Sequence, residues 1–160
     1  GARNYPSLAD DDWLWGGRLE DIAMTIANGI RAEGVKATRS SAMPAFAVGN
    51  ALNPDQIRAV ANHVRKIAGL ATEQGADLAA GAKVFGDQCA GCHGPEGTGN
   101  PTLGAPNLTD AIWLYGSDIA SVVATISNPR NGVMPAWADR LDKVTIKALA
   151  LYVHSLGGGK

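Results

Sequence analysis

Residues 89–93 read Cys89-Ala90-Gly91-Cys92-His93, and this stretch decides the fold class. Two thiols three residues apart, followed at once by a histidine, form the attachment pattern of a c-type haem. The thiols of Cys89 and Cys92 add covalently to the two vinyl groups of one porphyrin, which sets the distance between them. His93 then lies under the iron, where an imidazole nitrogen serves as proximal ligand. Two other chemistries share the cysteine spacing. A thiol–disulfide oxidoreductase would use Cys89 and Cys92 as its redox pair, but needs flanking β–α–β patterning that is not found. A tetrahedral zinc site needs a fourth ligand, and His63 and His154 are distant, with no metal-type spacing.

Downstream of the motif, Asn128-Pro129-Arg130-Asn131-Gly132-Val133-Met134-Pro135-Ala136-Trp137 places a methionine in a loop of Pro and Gly. A loop can deliver a thioether sideways to a haem face, and Pro135 stiffens the backbone just after it. Methionine also fills core gaps, but a position off any helix favours ligation, so Met134 is expected as the sixth ligand. Thioether ligation favours the reduced iron and raises the potential, which suits a carrier rather than an oxygen activator.

The composition agrees with a fold built around a large apolar group. The chain has 160 residues, 14 basic and 15 acidic. That balance argues against a nucleic-acid binder, which would carry a basic excess. No run of about 18 uncharged apolar residues is present to span a bilayer. Leu, Ile, Val and Phe make up only about a fifth of the chain, while alanine is its commonest residue and glycine numbers 20. A core so short of bulky side chains needs other filling, and a haem supplies it.

Hydrophobic periodicity predicts five amphipathic helices and no competing strands, hence an all-α fold. They run from about Arg18 to Ile30; from the cap Asn53, with Pro54 at the first helical position, to near Gly69; from Asp77 to Cys89; from Ser117; and from after Asp142 to the glycines at 157–159. The chain also repeats itself. Pro6, Leu8, Asp10, Trp13, Leu14 and Gly16 recur 100 residues later as Pro106, Leu108, Asp110, Trp113, Leu114 and Gly116. Met43-Pro44-Ala45-Phe46 recurs as Met134-Pro135-Ala136-Trp137, and the helix of Ile57 to Gly69 recurs as Ile146 to Gly158, with His63 opposite Tyr152. The first copy has extra residues before its methionine, Glu33 to Ser41 among them. In its register, an attachment motif would fall upstream of Gly1. The expected division is therefore a truncated cytochrome c-like domain at 1–71, its attachment motif upstream of residue 1, and a complete domain at 72–160.

The second unit resembles a class I cytochrome c domain. The resemblance implies that Gly81 and Phe85 cross the last helix at Leu149 and Tyr152, and that the carbonyl of Pro106 accepts a hydrogen bond from the proximal imidazole. Such a bond fixes the tautomer and orientation of a ligating histidine. Over nearly its full length the chain resembles the dihaem cytochrome c subunit of cbb3-type cytochrome c oxidases. The segments that carry this are Asp10-Asp11-Asp12-Trp13-Leu14-Trp15-Gly16-Gly17, Ala105 to Asp110, Ile112-Trp113-Leu114-Tyr115-Gly116 and Gly132 to Trp137. The resemblance implies haem c as cofactor, one haem bound to this chain and a second if the upstream motif is present, to which Met43 would be the thioether ligand. It implies electron transfer, not catalysis, between a donor cytochrome and the oxidase catalytic subunit. It further implies a periplasmic location, with membrane association only through an N-terminal anchor that this sequence lacks. A second reading in the same class is the cytochrome subunit of a periplasmic dehydrogenase.

Three further side chains are candidates for the haem propionates: Trp113 and Tyr115 through their polar edges, and Arg130 through its charge. His63 and His154 are expected in packing or surface roles. The run Asp10-Asp11-Asp12 reads as a solvated turn that could also steer a basic donor.

Overall fold

A computed structural model describes residues 5–157. Helices supply the regular structure of these residues, and the remaining pairing is limited to isolated bridges joining Ile30 to Arg39 and to Met134, and Asn100 to Ala105. The helices are α1 (Leu19–Asn28), α2 (Pro54–Ile67), α3 (Leu78–Val84), α4 (Ala90–His93), α5 (Ile119–Ser127) and α6 (Lys143–Leu156). None is long and apolar enough to cross a membrane. A π-helical turn, Phe85–Cys89, joins α3 to α4, so one helical run leads into the cysteine motif. The periodicity did not reveal that turn, because a single wide turn keeps the apolar residues on one side.

The chain folds as two compact units. One comprises residues 43–100 and 105–130; the other comprises residues up to 42, 101–104 and those from 131 on. The boundary at residue 71 expected from the repeat is not the one along which the structure divides.

In the unit that holds the cysteine motif, α2 starts as its sequence dictates. Asn53 accepts from the Gln56 amide at 2.9 Å, and Gln56 accepts from the Asn53 amide at 2.9 Å, a reciprocal cap with Pro54 behind it. The apolar stripe of α2 (Ile57, Val60, Ala61 and Val64) is buried with Phe46, Leu52, Val84, Phe85, Cys89, Val122 and Ile126. Helix α2 crosses α3 at Gly81. A Cβ on that glycine would lie 2.3 Å from the Ala59 carbonyl oxygen and 3.0 Å from the His63 Cβ, so only glycine permits this approach. The His63 ring then rests against Phe85 at 5.2 Å between centroids. Beyond α2, the connection to α3 is pinned by Asn62, which is 1% exposed. Its amide nitrogen donates to the Arg58 carbonyl and to Glu73 Oε2, both at 3.0 Å, and its oxygen accepts from the Glu73 amide at 2.8 Å. Arg58 pairs with the same carboxylate.

The other unit packs α1 on α6 through Ile22, Ile26, Ile146 and Ala150. Its hydrogen bonds show how the repeats are used. The Met134 amide donates to Ile30 O at 2.9 Å, the Ile30 amide returns a bond at 3.0 Å, and the Trp137 amide donates to Ile26 O at 3.2 Å. In the cysteine-bearing unit the Phe46 amide donates to Ile126 O at 3.2 Å. Phe46 corresponds to Trp137 and Ile126 to Ile26. Each repeat thus sends its methionine loop and its last helix to the unit built on the other repeat's early helix. The expected crossing of Gly81 and Phe85 with Leu149 and Tyr152 is replaced by one with Ala59 and His63. Leu149 and Tyr152 are 37% and 61% exposed. The two last helices carry nearly the same stripe, so local sequence cannot say which of them α3 receives.

Candidate functional site

His93 closes α4 and is buried, 8% exposed. Its Nδ1 lies 3.0 Å from the Pro106 carbonyl oxygen. A carbonyl can only accept, so Nδ1 carries the proton and the lone pair of Nε2 is left for a metal. Burial holds the imidazole below its ordinary pKa, opposed by the hydrogen bond to Pro106, and so keeps the ring in the neutral form that ligation requires. The loop after α4 is shaped to bring Pro106 there. The Gly99 amide donates to the His93 carbonyl and the Leu108 amide to the Gly97 carbonyl, both at 2.7 Å. Gly99 has φ +85°, and a Cβ on it would meet the Asn107 amide at 2.7 Å.

Cys89 is buried and Cys92 exposed, both with free thiols. Burial, together with the neighbouring Cys92, pushes the Cys89 thiol up to about 11. A redox enzyme's attacking cysteine has the opposite shift, so the geometry gives the oxidoreductase reading no support. No group of three or more His, Cys, Asp or Glu that could hold a metal ion is found among the described residues. His63 is committed to its contact with Phe85, and His154 lies beside Arg18, Leu19 and Glu20.

The donor set fits a haem c: two thiols at vinyl spacing on one helical run, and a buried imidazole with its tautomer set. Met43, half-buried, packs against the same apolar cluster as Cys89 and Phe85. Met134 does not join them. It packs against Ile22, Ile26, Ile146 and Ala150 in the other unit, anchored by its paired bonds with Ile30. The sequence named both methionines and assigned Met134 to the haem motif from its position in a loop off any helix; in the structure Met43, not Met134, lies in the unit of that motif.

Trp113 packs, half-buried, on the cluster of Cys89. The Arg130 guanidinium lies 4.2 Å above the Tyr115 ring and donates to Thr125 Oγ1 at 3.0 Å. The other repeat builds the same arrangement: Arg39 lies 5.2 Å above Trp15, and its Nε donates to Thr25 Oγ1 at 2.9 Å. Each arginine stands four residues before a loop methionine, and the two threonines are 100 residues apart. That register would have found Arg39 and both threonines, which residue-by-residue reading missed.

Residues 76–153 match the family described as cytochrome c oxidase, cbb3-type, subunit III. All 160 residues align with the cbb3-type cytochrome c oxidase subunit FixP of Bradyrhizobium sp. (strain ORS 278) at 58% identity, covering 55% of that protein. The FixP subunit of Bradyrhizobium diazoefficiens is 56% identical over the same length, 55% of it covered. The CcoP subunit of Cereibacter sphaeroides is 50% identical over 157 residues, 98% of this chain and 53% of that one. The chain spans about half the length of these curated relatives. With a helical fold and a haem c donor set, the chain is similar through both repeats to the cbb3-type cytochrome c oxidase subunits FixP and CcoP.

Proposed function

We propose that this chain is the haem-bearing part of a one-electron carrier in a bacterial respiratory chain. It relays electrons from a donor cytochrome to the catalytic subunit of a cbb3-type oxidase, at the periplasmic face of the inner membrane, and makes no bonds itself. The observation that carries this reading is the gathering of Cys89, Cys92, His93, Pro106 and Met43 in one compact unit. The names of the relatives support the partner. Haem c, when bound there, supplies a reversible one-electron couple at iron.

The residues divide the work. Cys89 and Cys92 hold the porphyrin by thioether bonds, His93 is the proximal ligand, and Pro106 orients it. Met43 is the sixth ligand, in place of Met134. Trp113, Tyr115 and Arg130 would hold the propionates. The other unit takes a second haem, with Met134 as its thioether ligand and an attachment motif upstream of residue 1. The repeat register and the greater length of the relatives support that second site.

Two measurements test the proposal. A pyridine haemochrome assay should give one haem per chain for residues 1–160 and two for the full-length subunit. On the 1–160 chain, Met43→Ala should abolish the thioether-to-iron charge-transfer band of the oxidised protein and Met134→Ala should preserve it. The reverse pattern would return Met134 to the haem of His93.

A further inference from the structure

Arg31 is held in the left-handed region of backbone space, with φ +51°. A Cβ is crowded by the backbone there, and an arginine has no short side-chain bond to offset the cost. Its counterpart 100 residues later is Asn131, at φ +43°. Asparagine is one of the few residues that enter this region readily. The turn alone is served better by asparagine, so the reason for an arginine at position 31 lies in its side chain.

That side chain reaches two carbonyls. Its Nε donates to Gly132 O at 2.9 Å and its Nη1 to Ser41 O at 2.6 Å. Gly132 stands two residues before Met134, and Ser41 two residues before Met43. The two bonds therefore fall at the same place in the two methionine loops. Arg31, Ser41 and Gly132 all belong to one compact unit. The backbone around Arg31 serves the same loops. The Arg31 amide donates to Arg39 O at 2.7 Å, which closes the segment that leads to Ser41, and Ile30 exchanges both its backbone bonds with Met134. A planar guanidinium holds its donors in a fixed fork and so sets the spacing of two acceptors, which a flexible ammonium cannot do.

We propose that Arg31 is a positioning residue for both thioether ligands, one guanidinium fixing the two methionine loops at the second carbonyl before each methionine. The proposal rests on the reading that Met43 and Met134 each ligate a haem iron. A thioether is a neutral ligand that favours reduced iron. Its hold on ferric iron depends on the loop keeping the sulfur in place, and charge-assisted hydrogen bonds to the loop supply that restraint. Without the fork both loops loosen, and an added ligand displaces either sulfur more easily.

The test uses the full-length subunit with its haems attached, oxidised and titrated with imidazole, which competes with the thioether for ferric iron. The thioether-to-iron charge-transfer band is the readout. Met43→Ala leaves the band of the Met134 haem and Met134→Ala that of the Met43 haem, so each loop is read by itself. Arg31→Asn places at the turn the residue type of the other repeat and removes the fork. In each background it should lower the imidazole concentration at half-displacement about tenfold, the effect of one charge-assisted hydrogen bond per loop. A lower denaturant midpoint with both titrations unmoved would show a structural role only and overturn the proposal. A response in one haem alone would overturn the shared role. If Arg31→Asn does not accumulate with both haems, Arg31→Lys is read instead. It keeps the charge but has no Nε donor for Gly132, so it should loosen the Met134 haem, and an unmoved titration there would overturn the proposal. A band that neither Met43→Ala nor Met134→Ala reduces would overturn the ligand reading itself.

Discussion

Replacing Gly81 by alanine tests the exchange of last helices directly. The new Cβ would sit 2.3 Å from the Ala59 carbonyl oxygen and 2.8 Å from its carbon. Carbon and carbonyl oxygen approach to about 3.3 Å at closest, so α2 and α3 must separate by roughly 1 Å. The obstacle is backbone, which cannot rotate away, and this puts the cost near the top of the overpacking range, about 3 kcal/mol. Alanine returns about 1 kcal/mol through its helix propensity. The net loss of about 2 kcal/mol corresponds to a fall in melting temperature of about 4–8 °C for a chain of this size. Gly86→Ala is the control, because nothing lies within 4 Å of a Cβ there. Thermal unfolding followed by circular dichroism reads both. A double-mutant cycle then identifies the partner helix. Gly81→Ala should couple to His63→Ala by at least about 0.5 kcal/mol and should add independently to Tyr152→Ala. Coupling to Tyr152 with additivity at His63 would show that α3 crosses α6 and would refute the exchange.

Three other outcomes follow from local geometry. Asn53→Ala deletes the side-chain arm of the reciprocal cap on α2, leaving only the residue-53 amide to Gln56, and should cost about 1 kcal/mol, seen as a lower denaturant midpoint at unchanged slope. Glu73 is held below the usual carboxylate range first by the Asn62 side chain and then by Arg58. A depressed folded-state pKa means stability present above the ordinary carboxylate pKa and lost as pH falls through the folded value. Glu73→Gln should therefore flatten the stability profile on the acid side of the ordinary carboxylate pKa, and an unaltered profile would place the acid-sensitive group elsewhere. Met43→His should lower the potential of the haem at Cys89 and Cys92 while leaving it attached, since a second imidazole favours ferric iron more than a thioether does; potentiometry should find no such fall for Met134→His in the 1–160 chain.

Much of the local structure was legible. Asn53 and Pro54 announce the start of α2 because a cap and a fixed φ act within four residues. The stripe Ile57, Val60, Ala61 and Val64 is buried as its 3.6-residue period requires. The motif Cys89-Ala90-Gly91-Cys92-His93 stands out in the sequence because its spacing is local. The π turn at Phe85–Cys89 was not visible because a single wide turn keeps the apolar residues on one side, while the N–H of Trp13, unsatisfied among the described residues, and the stacking of Arg39 on Trp15 depend on contacts between distant segments.

What the sequence determined by itself is the set of parts: helices, caps, haem motif, two methionine loops and the repeat that relates them. What only the tertiary structure decided is which parts work together. Phe46 with Ile126, and Trp137 with Ile26, could equally have paired within their own repeats by any rule of local pattern. Because the two copies carry nearly the same code, a side-chain stripe specifies the kind of partner it needs and not which copy supplies it. That choice belongs to chain connectivity and packing at Gly81, and it puts Met43 rather than Met134 in the unit of Cys89 and His93.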